Sequence, residues 1–299
     1  MKLHLKPLRD FLVRSVALLS LMFFLVNCED DNNVLSNQDP TNSSDNAEAI
    51  ASSISSETSG AADQLSYLSD LAAEDGISSL AKTTSGLAKS SDEKITSIDT
   101  VYDESTEKWT ITISRERTIS ERSFTSNYYH KYTVQYLKNG IPQKHYIVNG
   151  DTANTIKFNI VEGTGTVQSN KINQNLESTS GSWVATITAN NAMVVAGSYN
   201  RSANATFTTA NATRSYDYSL SLSFTGLSVP INYGDELWLY LSGFMSGQFT
   251  GEYSATVNGE TYQKSVNNAF AIAFSKKATY NITMDGEDYS ADIDTGELQ

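Results

Sequence analysis

Cysteine, proline and histidine are scarce in this sequence of 299 residues. It has a single cysteine, Cys28, so no intrachain disulfide can form even in an oxidising compartment. It has four prolines and three histidines, and only 18% of its residues are charged. Together with many serines, threonines and asparagines, this composition is typical of an exported β-rich protein and disfavours a helical cytosolic enzyme.

Motifs of the common catalytic classes are also missing. The sequence contains no HExxH, GxSxG, CxxC or phosphate-binding loop, and "GTGT" at residues 163–166 is too short for a nucleotide-binding fingerprint. We therefore expect a protein without enzymatic activity, without a cofactor and without catalytic residues.

Basic residues are few in the part of the chain that follows residue 27. Removing residues 1–27 takes away four basic residues and one acidic residue, which leaves 17 Lys and Arg against 33 Asp and Glu, a formal charge of −16. Such a surface repels nucleic acid and anionic lipid head groups, so we expect no nucleic-acid partner. The remaining length of about 270 residues can bury a sizeable core without disulfides.

The N-terminus has the pattern of a secretory signal. Residues 1–14 carry four basic side chains and one acidic side chain, and an apolar run broken only by Ser20 follows from Val16 to Val26. As a helix this run would be about 16 Å long, about half of the roughly 30 Å hydrocarbon core of a bilayer. It is therefore too short to serve as a permanent membrane span.

The apolar run ends at Leu25-Val26-Asn27-Cys28, which resembles the lipobox of bacterial lipoproteins. The resemblance implies a signal peptide at residues 1–27, cleavage before Cys28 and a diacylglyceryl group on the Cys28 thiol. It also implies, in most cases, an acyl chain such as palmitate on the new amino group. Asn27 departs from the small residue usual before the cysteine. Two or more acyl chains hold a protein firmly on a bilayer, so we expect the membrane to be a partner through Cys28.

An alternative is ordinary signal-peptidase cleavage, for which Val34 and Ser36 would place the cut after Ser36 and remove Cys28. The residues after the cysteine, "EDDNN", resemble the acidic surface-export signal of some gram-negative lipoproteins but equally suit a solvated linker. We expect lipid-anchored localisation at the outer membrane, with exposure at the cell surface left open.

Two regions lie between the cysteine and the main body. Residues 28–44 are polar and aperiodic, which predicts a flexible tether. Residues 45–93 predict one or two short helices and a linker, with Asp45 as a candidate N-cap and Gly76 as a candidate C′ residue. Apolar residues recur there at helical spacing, namely Ile50, Ile54, Leu65, Leu68 and Leu71.

Residues 94–299 predict an antiparallel β domain. Apolar and polar residues alternate through most of this range, most clearly in "YDYSLSLSF" at residues 216–224, which indicates strands with one buried and one wet face. Further alternating stretches are "WTITIS", "TIKFNI", "WVATITA" and "AFAIAFS". Asn-Gly or Asp-Gly within "LKNGIP", "TVNGET" and "TMDGED" predicts type I′ hairpin turns.

The predicted fold class is mainly β. Roughly ten to twelve strands joined by short turns form an antiparallel up-and-down meander, preceded by one or two short helices. A long meander with one apolar face must curl to bury that face, as a barrel, a half-barrel or a sandwich of two layers. The alternation is the same in all three, so they stay open.

The titratable residues favour no metal site. With Asn139-Gly140 as a two-residue turn, His145 pairs with Val134 and His130 with Asn149, which puts the two histidines on one face about 13 Å apart. One metal ion cannot bridge that distance. We interpret the two histidines as part of a packed aromatic face, with a ligand pocket or a general base as the alternatives.

Paired carboxylates occur at Asp103-Glu104, Asp235-Glu236 and Glu287-Asp288. Neighbours on a strand point to opposite faces, so solvated turns explain these pairs better than catalysis does. "DDNN" and "DGEDYSADID" resemble a calcium loop only faintly, because such a loop needs oxygen ligands at alternating spacing.

Three functions remain open. The first is a non-enzymatic envelope lipoprotein. The second is a carrier or binder of an apolar ligand inside a curved β-sheet, since the predicted architecture resembles the half-barrel lipid carriers of the bacterial envelope. The third is a surface polysaccharide-binding protein that stacks sugars on Trp109, Trp183 and Trp238, although most aromatic residues fall in phase with the apolar face and are assigned to the core first. An open apolar cavity would favour the carrier; the oligomeric state is open.

Overall fold

A computed structural model describes residues 43–73, 76–77, 93–188, 191–208, 212–231, 234–257 and 259–299. The signal peptide, Cys28 and the tether up to residue 42 lie outside the described residues. Two helices come first, α1 (Ser43–Ile54) and α2 (Ala61–Leu71). The strands that follow are β1 (Glu93–Asp103), β2 (Lys108–Ile119), β3 (Phe124–Lys138), β4 (Ile141–Gln143), β5 (Ile147–Val148), β6 (Asp151–Thr152), β7 (Thr155–Gln168), β8 (Ile172–Ile187), β9 (Ala192–Thr208), β10 (Ala212–Pro230), β11 (Ser242–Val257), β12 (Glu260–Ser275), β13 (Thr279–Met284) and β14 (Glu287–Asp292). Two short 3₁₀ turns lie at Ser120–Arg122 and Gly234–Leu239.

Twelve of the strands form one antiparallel sheet, which confirms the up-and-down meander. Its hydrogen-bonded order is β1-β2-β3-β7-β8-β9-β10-β11-β12-β13-β14, and β4 pairs with β3; β5 and β6 form a separate two-stranded ladder. In the described ranges no ladder joins β1 to β14, so the sheet is not closed into a barrel. Leu298 covers part of the free edge of β14 through a bridge to Ala291.

Alternation along each strand sorts its side chains into an inner and an outer face. On β10, Tyr216, Tyr218, Leu220, Leu222 and Phe224 are all buried, and the residues between them are exposed. The same pattern holds for the central residues of the other predicted strands. Their burial supplies most of the hydrophobic stabilisation of the sheet.

Two of the three predicted hairpin turns are confirmed by backbone geometry; in the third, Asn258 lies outside the described residues. Asn139-Gly140 has φ of 52° and 82°, and Asp285-Gly286 has 55° and 85°, so both central residues have the positive φ that a type I′ turn requires. Gly259 also has a positive φ, 87°. A fourth turn that the sequence analysis missed, Asn149-Gly150 with φ of 52° and 86°, joins β5 to β6.

The sheet curves strongly around the segment that contains both helices, residues 43–71 (the helical segment). The backbone N–H of Glu57 donates to the carbonyl of Asp294, just after β14, at 2.9 Å, and its carbonyl accepts from the Tyr128 hydroxyl of β3 at 3.4 Å. Eight inter-strand steps separate β3 from β14, which is about 38 Å in a flat sheet. Only a curled sheet can bring both strands to one residue.

The helical segment fills the inside of this curve. Every residue of α2 from Ala61 to Leu71 is buried, including Asp63, Gln64 and Asp70. A helix that lies on the outside of a sheet exposes one face to water, so burial on all sides means that the strands surround α2. The helices were expected before the sheet in sequence, and in space they lie within it.

The ends of the helices differ from the predicted ones. Helix α1 begins at Ser43, so Asp45 lies inside the first turn rather than at the N-cap, where its charge still suits the positive end of the helix dipole. Helix α2 ends at Leu71, five residues before Gly76, so the C′ role predicted for Gly76 is wrong. The N–H of Ala72 instead closes the helix by bonding to the carbonyl of Ser69 at 3.2 Å.

Candidate functional site

A network of buried polar side chains joins the helical segment to the inner face of the sheet. Asp63 of α2 forms an ion pair with Arg115 of β2. The Ser59 hydroxyl donates to the Asp63 carboxylate at 3.0 Å and accepts from Arg115 Nη2 at 3.1 Å. Gln64 accepts from the Tyr132 hydroxyl at 2.8 Å. Because a buried polar group is costly without a hydrogen bond, these pairings fix the helical segment in one position.

Arg201 of β9 lies inside the same network and is 1% exposed. Its guanidinium donates to the carbonyl oxygens of Thr58 and Ser59 at 2.9 and 3.2 Å, and to Oε1 of Gln174 at 2.9 Å. Within the described part of the chain no carboxylate forms an ion pair with it. Arg201 thus holds the loop between the two helices through backbone carbonyls.

His130 lies on the inner face and is 2% exposed. Its Nε2 is 3.3 Å from the Ser59 hydroxyl. Burial lowers the pKa of His130 well below its ordinary value, and the positive charges of Arg115 and Arg201 lower this pKa further. The imidazole is therefore neutral and enclosed, which suits a structural role rather than that of a general base.

The strand pairing predicted for the two histidines is wrong. The turn at Asn139-Gly140 has the expected register, but β4 ends at Gln143, after three pairs with β3. Strand β2 occupies the same edge of β3 from Phe124 to Val134, so the place predicted for Asn149 opposite His130 is taken by Ile113. On the other edge of β3, which pairs with β7, His130 faces Gly163. His145 lies in the bend after β4, is exposed, and shares no face with His130.

The predicted solvated role of the paired carboxylates agrees with their surroundings. Asp103 accepts hydrogen bonds in its turn, chiefly from Ser105, and these lower its pKa to about 2. Glu287 accepts from a serine hydroxyl of α1, and Asp292 accepts backbone N–H groups of the C-terminal turn. The side chains of Asp235-Glu236 lie outside the described part. Within that part, no group of three or more His, Cys, Asp or Glu is arranged to hold a metal ion.

The tryptophans belong mainly to the core. Trp183 is 0% exposed and its indole N–H donates to the carbonyl of Ser198 at 2.9 Å; Trp238 is 4% exposed. Trp109 is half-buried, and its ring is tilted by 53° from that of Tyr102 at 5.1 Å. These rings form no flat platform of the kind on which a sugar stacks.

One accessible concave site combines apolar and charged side chains. This end cleft has a volume of about 460 Å³ and lies where the helical segment meets the strand ends. Its floor is formed by Phe124 at the start of β3, Ile172 at the start of β8 and Phe207 of β9, and Ile172 and Phe207 are direct partners across the two strands. A concave apolar site with few polar groups is the usual form of a small-molecule site.

The lining of the end cleft carries two basic side chains, Arg122 and Lys171, and three acidic ones, Glu48, Glu57 and Glu297. Arg122, 44% exposed, forms an ion pair with Glu57, and Arg117 stands behind the same carboxylate at 3.8 Å. Lys171, 75% exposed, pairs with Glu297 at 2.6 Å. The two turns that bear Arg122 and Lys171 lie side by side because β3 pairs with β7. Each of the two basic side chains of the lining is thus paired with an acidic one.

The opposite wall of the end cleft is helix α1. Glu48 lines it, and burial raises the pKa of that carboxyl although Arg214 opposes the change from 2.8 Å. Ser52 also lines it, is 4% exposed, and its hydroxyl has no hydrogen-bond partner in the described residues. Gly296 closes the wall: its φ is 73°, and a Cβ there would lie 2.9 Å from the carbonyl oxygen of Ala51.

A second concavity lies on the outer face of the sheet. It has a volume of about 570 Å³ and is lined by polar side chains of five neighbouring strands, among them Asn175, Asn204, Asp217 and Glu252. Asp217 and Glu252 are directly opposite each other on β10 and β11. No aromatic ring is exposed among these polar residues, because Tyr216 and Tyr253 are buried.

Sequence reasoning did not find the end cleft. Its members come from α1, the loop between the helices, the ends of three strands with their adjacent turns, and the C-terminal turn, and no local pattern links Ser52 to Lys171 or Phe207. The available signal was weak: Phe124 and Phe207 are large apolar residues at the ends of predicted strands, next to the basic Arg122 and Lys171.

Comparisons of the chain with family models, with curated proteins and with solved structures found no match. None of the described helices combines the length and the apolar character needed to cross a bilayer.

Proposed function

We propose that this chain is a lipid-anchored lipoprotein of the bacterial outer membrane, held by acyl chains on Cys28, whose described body acts by binding and not by catalysis. The anchor is supported by the basic N-terminus, the short apolar run and the lone cysteine at its end. Such an anchor needs no transmembrane helix, because two or more acyl chains hold a protein firmly at the bilayer.

The binding role is supported by the location of the reactive side chains, which are buried and already hydrogen-bonded. Asp63 and His130 are the side chains best suited to acid–base chemistry, and both are buried and bonded, together with Arg115, to the Ser59 hydroxyl. The end cleft is lined by ion-paired side chains, serines and threonines, and apolar rings. This distribution favours recognition over reaction.

The role of an apolar-ligand carrier is the second candidate. We infer that the open, curved sheet is a half-barrel, whose interior is taken by the helical segment rather than by a ligand. A carrier would then use the end cleft, since Phe124, Ile172 and Phe207 give it the apolar floor that an aliphatic ligand needs.

A polysaccharide-binding role draws support only from the polar concavity on the outer face. Its amide and carboxylate side chains suit sugar hydroxyls. The burial of Trp183 and Trp238 removes two of the three predicted stacking residues, so the end cleft is the better candidate site.

Metabolic labelling with alkyne-palmitate tests the anchor. We expect the wild-type protein to incorporate the label and to fractionate with the outer membrane, and Cys28→Ser to lose both properties. Mass spectrometry of the mature N-terminus is the second measurement. An unlabelled chain that begins at Asn37 would overturn the proposal and support cleavage after Ser36. Protease treatment of whole cells then shows whether the described body is exposed at the cell surface or faces the periplasm.

A further inference from the structure

We propose that one end of the curled sheet docks on a lipid surface through exposed apolar side chains. This apolar end is the one where β1, β3 and β8 end and β9 and β11 begin, and the floor of the end cleft lies at the other ends of its strands. The inference rests on the proposed function, because the acyl anchor would hold a bilayer next to the body. Three features support it: the distribution of the exposed apolar side chains, their change along the strands and the position of the anchor.

Exposed large apolar side chains are concentrated at the apolar end. Within the described residues nine such side chains are exposed, and eight of them lie in a connection at this end or among the first or last four residues of a strand there. The eight are Val101, Ile141, Ile147, Val184, Val194, Leu239, Tyr240 and Phe244. The ninth, Val161, lies in the middle of β7. At the other end, Phe124 and Phe207 are each 5% exposed. Such an uneven distribution marks a surface that meets a partner or a membrane.

The outer face of the sheet changes from apolar to polar with distance from this end. On β9 the outward side chains are Val194 and Ala196 first, and then serine or asparagine at every outward position of 198–204. On β11 Phe244 is followed by polar residues at the outward positions of 246–252. The apolar layer is therefore at most about 10 Å deep along a strand. That depth agrees with the roughly 5–10 Å to which an interfacial helix buries its apolar face in a bilayer.

The strands that carry this layer face different directions. Seven inter-strand steps separate β1 from β11, and the sheet between them curls around the helical segment. The outward side chains of Val101 on β1 and Phe244 on β11 therefore cannot lie against one flat partner, although they lie at the same end of their strands. A fluid lipid surface can surround side chains that share a level. A rigid protein or a second copy would cover one side only.

Amphipathic aromatic side chains accompany the apolar ones. Tyr240 is 42% exposed, and the half-buried rings of Tyr102 and Trp109 lie 5.1 Å apart at the ends of β1 and β2. Tyrosine and tryptophan favour the boundary between hydrocarbon and water, because one part of each ring system is apolar and the other forms hydrogen bonds. Their place at this end suits shallow contact with lipid.

Net charge does not select the lipid. Lys276 and Lys277 follow β12 beside the turn that precedes β11, since the Lys276 N–H donates to the carbonyl of Leu241 at 2.9 Å. The same turn carries Asp235 and Glu236, so basic and acidic residues balance in number there. We therefore expect apolar contact to drive docking, on zwitterionic and on anionic bilayers alike.

The anchor can bring this end to the bilayer. Ser43, where the described body begins, donates to Glu287 at the start of β14. Strand β14 runs from there towards the apolar end, and its five steps of about 3.4 Å cover roughly 17 Å. The fifteen residues from Cys28 to residue 42 can span up to about 50 Å. The reach of the anchor thus exceeds the distance that docking requires.

Tethered vesicles test the docking without the acyl chains. Residues 29–299 carry six histidines in place of Cys28 and bind vesicles of phosphatidylcholine with a small fraction of nickel-chelating lipid. That chain has no cysteine, so Lys277→Cys places a single NBD fluorophore at the apolar end. Glu121→Cys, exposed in the turn after β2, places the same fluorophore at the other end as the matched control.

We expect the NBD emission at position 277 to rise about threefold on vesicles, as it does when water leaves the fluorophore. Lipids with a nitroxide near the head group should quench it more than lipids with one near the chain end. The emission at position 121 should not change. Leu239→Ser/Phe244→Ser, at two exposed side chains, should lower the rise at position 277 to less than about half. Val161→Ser, at the exposed side chain in the middle of β7, should leave it unchanged, and thermal melts establish that each variant is folded.

Three results would overturn the inference: no rise at position 277, an equal rise at both positions, or a rise that survives Leu239→Ser/Phe244→Ser. A rise only on vesicles with anionic phosphatidylglycerol would contradict the role of apolar contact. Analytical ultracentrifugation without vesicles tests a second copy as the occupant, and a dimer that the double variant dissociates would assign the surface to that contact instead. The anchor is judged separately, since a Cys28 that takes up no palmitate would end the proposed function and leave the vesicle result standing.

Discussion

The carboxylate of Asp63 on α2 and the guanidinium of Arg115 on β2 form an ion pair inside the curved sheet, where their side chains are 2% and 7% exposed. A buried ion pair adds little net stability, because the desolvation of both charges offsets their attraction. It does penalise every arrangement in which the two groups do not meet. The pair therefore determines how the helical segment is seated more than how stable the protein is.

Breaking this ion pair on one side should destabilise the protein severely. Asp63→Ala leaves the Arg115 charge buried without its partner, so we expect the free energy of unfolding to fall by about 3–5 kcal/mol. The double variant Asp63→Leu/Arg115→Met removes both charges and should recover most of the loss. Urea denaturation provides the measurement. As a control, Glu297→Ala breaks an exposed pair with Lys171 and should change stability by less than about 1 kcal/mol. An Asp63→Ala variant as stable as wild type would contradict the role given to the pair.

His130 should make stability sensitive to mild acid. Its pKa in the folded protein is well below the ordinary value because of burial and the charges of Arg115 and Arg201. In the unfolded chain it takes up a proton near pH 6.5. The unfolded state therefore binds more protons between that pH and the lower pKa of the folded state, and stability falls as the pH drops through this interval.

Thermal melts at pH 7.5, 6.5 and 5.5 measure this effect. His130→Gln should lose the part of the pH dependence that arises below 6.5, while His145→Gln, at an exposed ring, should keep it. If the wild type and His130→Gln lose stability in parallel on acidification, other groups cause the effect.

Two glycines with similar backbone angles should respond differently to the same substitution. Gly286 has φ of 85° and open space around it, so Gly286→Ala should cost only the strain of a left-handed residue, about 1 kcal/mol. Gly296 has φ of 73° and lies against the backbone of Ala51, so Gly296→Ala must also force the C-terminal turn away from α1. We expect a total loss of about 2–4 kcal/mol by urea denaturation. Equal losses at the two sites would mean that the contact with α1 contributes nothing.

Alanine substitution of the two tryptophans on predicted strands should show a larger loss of stability at the core position than at the surface position. Trp183→Ala removes a side chain with no exposure and should cost about 3–5 kcal/mol. Trp109→Ala removes a half-buried ring and its hydrogen bond to the carbonyl of Lys144, and should cost clearly less. The same pair of variants tests the sugar-stacking hypothesis, since glycan binding that survives Trp109→Ala cannot depend on that ring.

The β part of the fold could be read from the sequence because it follows local rules. The alternation from Tyr216 to Phe224 fixes which side of β10 is buried, and the turns at Asn139-Gly140 and Asp285-Gly286 need residues that accept positive φ. Neither property depends on distant partners. The helices were found for the same reason, from the spacing of Ile50 and Ile54.

The contacts between residues that are far apart in the sequence could not be predicted. Asp63 and Gln64 look like the wet side of an amphipathic helix, and their partners Arg115 and Tyr132 lie on strands formed 52 and 68 residues later. His130 was placed on the correct strand but opposite the wrong residue, because β2 occupies the edge of β3 along which the hairpin with β4 was expected to continue. The end cleft is likewise lined by residues from distant parts of the sequence.

The enclosure of the helical segment sets the order in which this chain can finish folding. Ser43 bonds to Glu287, 244 positions away, and Ser56 to Asp294, 238 positions away. Contacts with so large a sequence separation close a very long loop, which costs conformational entropy, and they can form only when nearly the whole chain is present. In a protein made or exported from its N-terminus, the segment destined for the centre emerges first and must remain uncovered until the final strands arrive. Premature termination would therefore leave the interior itself, and not merely an edge, open to proteases and to aggregation.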